Sequence, residues 1–586
     1  MSGAEAASTL ALHLSSSNLT SDSKQPRKND YQVHHICTRS FWNIPTYLPQ
    51  EIPGASSSPS GEKKKISFVP LDLAMYDLSR RPPGVIEYAL GPLTSDKAKK
   101  ANSYLLSLLG NDYGGPGKVR ARGESVDEAS QPPWVAIGND YTEYVRSGAV
   151  TTTIGRVHAV RKSTSGSDLT SVDVRLPGEK TETLDDVAVI VLATGFTPYH
   201  SLSFLPDPVL SVLEYSENDP FFPLILDRKG TTNAAIPDLA FVGFYRGPYW
   251  GVMEMQARHI ANNWANANTQ PQETELKKRE EERRTLRSLR YMKPDPHLHR
   301  SQFPMGDYMG LMESSARELG IPRAPLTQHN NEKDKSGPVL PARYTSTSKS
   351  PSTNKTTIKK KDNETTLHSL RSILFPHLSQ FNNIIPSTGA GAGATTAISM
   401  AVFRALHGTW KFTRAYHSHN QNKPNEGDKN DNGSVTFHPR YPTSPGYEKE
   451  YLYYEKPKSS PVETGTNRHN CMIYRFRNPD SSTSTHTHAP CIIVWSDDLN
   501  DLEITGKDLN TAAHGLNFST TATIADESEE SILGGYTVHA SHSYLGEGYE
   551  YFYAFHFQGV SILYWTLTAV KMDNRDYSVK TVYVRG

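Results

Sequence analysis

The sequence predicts an α/β part followed by an all-β antiparallel barrel, with a polar linker between them. Three observations predict this. Val187–Pro198, Val-Ala-Val-Ile-Val-Leu-Ala-Thr-Gly-Phe-Thr-Pro, opens with an unbroken β-branched apolar run too short to span a membrane. Such a run reads as a strand buried on both faces, as in a parallel sheet. From Ile398 onward, short runs alternate apolar and polar residues and are separated by polar turns, the pattern of an antiparallel barrel or sandwich. Between these parts, Ala324–Glu364 is rich in Ser, Thr, Lys, Asn and Pro and poor in aliphatic residues, as disordered segments are.

A length of 586 residues accommodates two or three domains. The expected division is an α/β region over 1–325, a linker over 326–395 and a β-domain over 396–586. Hydrophobic residues make up only 36% of the chain, which fits a sizeable disordered fraction. Lys+Arg and Asp+Glu both number 62, so no global field favours nucleic acid or an anionic membrane. Cys37, Cys471 and Cys491 form no disulfide framework. Without a secretory signal or a spanning run, the sequence predicts a soluble, cytoplasmic protein with no transmembrane segment.

Met1–Leu14 reads as a small-residue helix with an apolar face at Leu10 and Leu14, and Tyr31–Ser40 as a short alternating strand. Helix then strand is the back part of a Rossmann βαβ unit. Phe68–Leu78 and Lys97–Leu109 read as helical or lid-like, the second stopping at Gly110. Val150–Val160 and Leu169–Leu176 alternate as strands and lead into the run at Val187. That run breaks at Thr194-Gly195, where a small residue lets backbone approach a ligand or a neighbouring chain, and Pro198 ends it as a central strand. Phe241–Phe244 is a further strand and Val252–Asn266 a helix. Leu276–Arg290 is a charged helix whose i,i+4 pairs face solvent, and Asp307–Leu319 is the last helix of this part. Gly389–Ala394 lacks the Lys-Ser/Thr of a phosphate loop and reads as flexible linker. The β-domain strands are expected near Leu406–Tyr416, Gly433–Phe437, Glu448–Glu455, Cys471–Phe476, Cys491–Trp495, Tyr549–Phe557, Val560–Lys571 and Ser578–Val584.

The Ala-Thr-Gly-Phe turn, read with Phe241–Arg258 (Phe-Val-Gly-Phe-Tyr-Arg-Gly-Pro-Tyr-Trp-Gly-Val-Met-Glu-Met-Gln-Ala-Arg), resembles the C-terminal half of a flavin-containing monooxygenase of the filamentous-fungal kind, over about Met1 to Arg323. Gly3 and Glu5-Ala6-Ala7 match the end of that family's second dinucleotide fingerprint. The first two glycines, the strand before them and the upstream flavin fingerprint are absent from this sequence. The resemblance thus implies a partial Rossmann-type two-dinucleotide fold that starts at an internal Met. From the opening Gly-Thr-Trp strand to the final Arg-Asp-Tyr hairpin, the last 190 or so residues resemble a fungal domain of unknown function with a lipocalin-like barrel.

The resemblance implies FAD and NADP as cofactors. In the complete family NADPH reduces FAD, O₂ adds to give a flavin hydroperoxide, and one oxygen passes to a soft nucleophile; the flavin carries this chemistry and the protein positions it. Without the upstream fingerprint this chain is expected not to hold FAD and to be inactive as an oxygenase. The cofactor-binding candidates are Gly3, Arg39 and Ser40 for the nicotinamide dinucleotide, Thr194 and Gly195 at the strand end where ligands lie, and Gln256, with Arg258 beside it, against the flavin ring. No catalytic side chain is singled out. Glu254 is a candidate buried carboxylate. His539, His542, His556, Glu547 and Glu550 lie close in sequence, but their spacing matches no zinc pattern, so no metal is predicted. Arg414, Glu450, Tyr454, Trp565 and Arg575 are candidate polar contacts of a barrel interior, and Tyr453, Phe476, Trp495, Phe555 and Trp565 a candidate aromatic lining. The alternative function is a non-catalytic protein that binds an apolar small molecule, or docks, through an independently folding barrel.

Overall fold

The computed structural model describes residues 2–17, 32–51, 65–109, 130–163, 168–196, 199–247, 249–266, 272–303, 305–326, 337–344, 365–367, 370–371, 374, 392–418, 431–457, 471–477, 491–496, 513–519, 522–524, 535–544, 549–572 and 577–586, and every structural statement concerns these. Helices and strands are mixed, and the largest element is a fourteen-stranded antiparallel sheet. Ten C-terminal strands curve into a half-barrel, in the order Ala513–Gly515, Ile492–Ser496, Cys471–Phe476, Lys449–Pro457, Asp431–Arg440, Gly408–Ser418, Tyr577–Arg585, Ser561–Lys571, Tyr549–Gln558, Tyr536–Tyr544. All eight strand-like runs of the sequence are among them. Period-two alternation made them legible: Asp431–Arg440 buries Val435, Phe437 and Pro439 and leaves the residues between them less covered. Ala513–Gly515 begins the series on Ile492–Ser496, and the short strand Asn517–Phe518 that follows it in the chain pairs with the other end, Tyr536–Tyr544.

Helix Ala392–Leu406 packs in the core of the sheet. Ala397, Ile398, Ala401, Val402, Phe403, Ala405 and Leu406 are all buried, the signature of a helix enclosed on all sides. It begins inside the stretch predicted as flexible; Gly389–Gly391 lie outside the described residues.

The large core crosses the expected domain boundaries. Trp42, Ile44, Leu48, Ile66, Phe68, Leu105 and Leu109 share one cluster with Phe403, Trp410, Phe437, Phe555 and Trp565. Strand Lys65–Pro70 pairs with Ala522–Ile524 and with Tyr47–Glu51, so N-terminal residues extend the C-terminal sheet. The predicted linker also differs where it is described. At 337–344, Val339, Arg343 and Tyr344 are buried, because the Arg343 guanidinium donates to the carbonyls of Ala324 (3.0 Å) and Pro338 (2.8 Å) while Val339 and Tyr344 join the helical core.

In the N-terminal part, helix Ser2–Ser17 covers strand Val33–Cys37, which pairs in parallel with Val150–Ile154. Trp42–Ile44 and Val135–Ile137 form a second parallel pair. Among the described residues these are separate two-stranded pairs, not one doubly wound sheet. Strands Arg156–Lys162, Thr170–Arg175 and Thr181–Val187 make a three-stranded antiparallel sheet. The expected doubly buried strand is corrected here: it ends at Val187, and 188–196 is irregular, with Val189, Leu192 and Phe196 exposed by 75%, 83% and 97%. Burial on both faces needs a layer on each side, and no described strand pairs with this stretch.

Helices Trp250–Ala265, Glu273–Arg290 and Tyr308–Glu318 form a second core with Leu213, Phe222 and Tyr245. The strand expected at Phe241–Phe244 lies earlier, at Ile236–Ala240. The charged helix pairs Glu273 with Lys277 and Glu275 with Arg279, and also sends Arg283 to the buried Asp227 (2.8 Å). Among the described residues no helix is long and apolar enough to cross a membrane.

Candidate functional site

The residues predicted to hold a cofactor are only partly gathered. Gly3 sits where a Cβ would meet His35 Nε2 at 3.0 Å and the Ala193 carbonyl at 3.8 Å. Its missing side chain lets the helix start approach both the strand Val33–Cys37 and the turn carrying Thr194 and Gly195. Those two residues are exposed, and Gly195 has φ +88° with open space around it. The Arg39 guanidinium lies 4.0 Å over the Trp134 ring; burial and the neighbouring Arg156 both disfavour its charge. Ser40 follows, half-buried. Gln256 is buried in the helical layer, where its Oε1 accepts from the Gly243 amide (2.9 Å) and its Nε2 donates to the Lys229 carbonyl (3.0 Å). Both ends of that amide hold backbone, as buried polar groups must. Arg258 is similarly held by the Tyr344 carbonyl (2.8 Å) and Glu254 (2.5 Å), and Glu254 is half-exposed, not buried. Thr194 and Gly195 thus lie in an exposed turn, and Gln256 lies in the buried helical layer.

The half-barrel interior is filled by side chains. Trp565 stacks on Tyr583 with centroids 3.6 Å apart and planes at 3°, and Phe437 packs edge-on against Tyr453, Tyr474 and Trp565. Tyr453, Phe476, Phe555 and Trp565 lie in this core as expected of a lining. Trp495 does not: strand alternation places it with Leu452, Ile473 and Ile493 in a cluster on the other face. Arg414 reaches Glu455 (3.0 Å) and Thr581 (3.2 Å), and the Tyr453 hydroxyl donates to Glu455 (3.1 Å). Glu450 belongs to the outer face, where Arg440, Arg475 (2.7 Å) and Thr443 surround its carboxylate. Tyr454 is half-buried; Arg575 and Glu547 lie outside the described residues.

The histidines of this region do not converge. His542 points inward and stacks on Tyr551 (4.6 Å), whereas His556 stacks on Tyr564 (4.1 Å) and bonds Thr537 (2.9 Å) on the outer side. His539, three residues from His542, takes the opposite face of its strand and is exposed. Among the described residues no group of three or more His, Cys, Asp or Glu is placed to hold a metal.

A cleft of about 280 Å³ opens where helix Ser2–Ser17 meets the half-barrel, lined by Ala11, Leu14, Ser15, Tyr144, His407 and His438 with the turn at 147–149. Its wall is built from both halves of the chain. Burial pushes His407 down to about 4, although Glu143 and Asp140 oppose the shift; burial also lowers His438 and raises Tyr144. All three are uncharged at neutral pH. Ser15 and His438 are 2.9 Å apart, yet they are not a nucleophile and its base. The Ser15 hydroxyl donates to the Pro439 carbonyl (2.6 Å), and His438 Nε2 donates to the Ser15 carbonyl (3.1 Å), so the imidazole offers a proton where a general base needs a lone pair.

Behind the cleft, Glu143 pairs with Arg404 and with Arg146 (2.9 Å), and Arg404 also donates to the Val560 carbonyl. Burial raises the Glu143 pKa, but Arg146, Arg404, Arg585 and His407 together bring it below the usual carboxylate value. Lys449 pairs with Asp140 (2.6 Å), the residue before helix Tyr141–Arg146 that carries Glu143. A larger open groove, about 720 Å³, runs past His200, Asp207, Glu214 and Glu217, but Glu214 is already taken by Arg287 (2.7 Å). Sequence reading missed the 280 Å³ cleft, because its residues come from four distant segments and no local pattern marks them. No family model and no curated protein matches this sequence.

Proposed function

We propose that this chain is a non-catalytic binding protein that holds an uncharged small molecule in the cleft between helix Ser2–Ser17 and the half-barrel. One observation carries the reading: the cleft is lined by apolar Ala11 and Leu14 together with the neutral polar residues Tyr144 and His407. Its volume is near the lower end for ligand pockets, about 300–1,000 Å³. Neutral imidazole and phenol groups orient a ligand through one or two hydrogen bonds, and no charge on the ligand is needed. The half-barrel is then a lipocalin-like barrel whose filled interior serves as scaffold, in a cytoplasmic protein. A thermal-shift screen with neutral phenols, terpenoid alcohols, lactones and amides tests this. At least one should raise the melting temperature, because binding to the folded state alone stabilises it, and Thr409→Trp at the cleft rim should abolish the shift. No shift with any compound, or shifts that Thr409→Trp leaves intact, would contradict the reading.

A second reading is favoured by the approach of Gly3 to Ala193. In it the N-terminal part is a flavin monooxygenase-like nicotinamide-dinucleotide half-site. A phosphate would lie on the first turn of helix Ser2–Ser17, where free backbone N–H groups favour anions, and the family resemblance adds Arg39 as its basic contact. Calorimetric titration with 2′,5′-ADP tests this; binding weakened by Arg39→Ala supports it, and no binding removes it.

A further inference from the structure

The three-stranded sheet formed by Arg156–Lys162, Thr170–Arg175 and Thr181–Val187 carries opposite charge on its two edges. We propose that it joins copies of this chain edge to edge, the acidic strand Thr181–Val187 of one against the basic strand Arg156–Lys162 of the next.

Both outer strands pair only with the central Thr170–Arg175 among the described residues. The basic edge carries Arg156, His158, Arg161 and Lys162, and the acidic edge Glu182, Asp185 and Asp186, all exposed. Charges on an edge strand ordinarily prevent pairing. That protection works only against a like edge. Two acidic strands, or two basic strands, would set like charges opposite each other and repel, so a symmetric dimer through either edge is disfavoured. The acidic edge meeting the basic edge is the one combination in which cross-strand pairs attract.

The apolar surface matches as well. On the basic strand Val157 and Val160 are 48% and 53% exposed. The acidic strand runs directly into 188–196, where Val189, Val191, Leu192 and Phe196 lie open and no backbone hydrogen bond ties the stretch to any described residue. A contiguous exposed apolar run beside an unpaired strand edge marks an interaction site, and unpaired N–H and C=O groups add a strand readily. Several charges are partly used inside the sheet: Arg161 pairs with Asp173 (2.5 Å), Asp185 accepts from Ser171 (2.6 Å) and Asp186 from Ser163 (3.0 Å). The test therefore turns on Glu182 and Lys162, which carry no such bond inside the sheet. Because the contacting surfaces differ, the association is head-to-tail and adds copies without closing on a dimer. It makes no use of the cleft.

Sedimentation velocity on the full chain, over a range of concentrations at about 0.05 M and about 0.5 M NaCl, reads the proposal directly, since added salt screens exposed charge pairs. At low salt the mean sedimentation coefficient should rise with concentration past the dimer value, and at high salt the rise should shrink. Glu182→Lys and Lys162→Glu, each folded by circular dichroism, should reduce self-association separately, and an equimolar mixture should recover part of it, because reversed and native edges then find opposite partners. A monomer at every concentration at low salt would overturn the proposal, as would a closed dimer or an association that neither variant weakens.

Discussion

Glu143 and Arg404, 261 residues apart in the chain, form an ion pair with both side chains buried. Glu143 lies on helix Tyr141–Arg146 of the N-terminal part, and Arg404 near the end of the helix enclosed by the half-barrel. Arg146 completes the tie by donating to Ser561 (3.2 Å). Removing one partner of a buried pair leaves the other charge uncompensated and costs about 3–5 kcal/mol. Glu143→Gln should therefore lower the unfolding free energy measured in urea by that much, because the buried Arg404 charge loses its carboxylate. A loss below about 1 kcal/mol would mean that the pair is exposed to water in solution.

The shared core makes a second expectation. Phe68 packs against Phe557 at 5.7 Å and Tyr536 at 6.0 Å between centroids, so an N-terminal side chain completes the C-terminal core. Residues 396–586 produced alone should expose this surface, bind the dye ANS and melt without a sharp transition. Phe68→Ala in the full chain should cost about 3–5 kcal/mol, the usual loss for a buried phenylalanine. A fragment that melts as cooperatively as the full chain would show that the N-terminal strands are dispensable.

Acid should destabilise the fold through two histidines. Burial holds both His35 and His407 down to about 4, while an unfolded histidine titrates near 6.5. Folded pKa values below the unfolded value mean that the unfolded chain takes up protons first. Stability is thus full above about pH 6.5 and falls as pH drops toward 4, by about 3 kcal/mol per group at most. His407→Phe should flatten this slope in urea titrations between pH 7 and 4; an unchanged slope would exclude His407 as a contributor.

Glu282 acts with the opposite sign. Burial pushes it up to about 7, against hydrogen bonds from backbone at Lys229 (2.7 Å). A folded pKa above the unfolded one gives stability that is present below about pH 4.5 and lost as pH rises to about 7. Glu282→Gln should stabilise the protein at pH 8 and make no difference at pH 4. Equal effects at both values would mean that the carboxyl is solvated.

The β-half was legible because alternation is local: Trp410 and Phe412 fall inward on Gly408–Ser418 while Thr409 and Lys411 fall outward. Helix Ala392–Leu406 was not, because its Gly/Ala-rich start resembles linker and only tertiary burial makes it a helix. The run at Val187 misled for a related reason. Its apolar character is local, but burial depends on neighbouring layers that the run does not encode. Of the predicted site residues, Gly3 stood out as part of a local fingerprint and packs closely on His35, whereas the contacts of Gln256 depend on the Lys229 and Gly243 backbone brought beside it by the fold. The cleft at Tyr144 and His407 was invisible for the same reason.

A neutral ligand held as proposed would occupy the cleft between helix Ser2–Ser17 and the half-barrel. The most direct measurement is a crystal structure of the full chain with the strongest stabilising compound from the neutral panel. The expected result is density bounded by Ala11, Leu14, Tyr144 and His407, with a ligand polar atom in hydrogen-bond reach of the Tyr144 hydroxyl or the His407 ring. Density inside the half-barrel or in the groove beside His200, with this cleft empty, would contradict it.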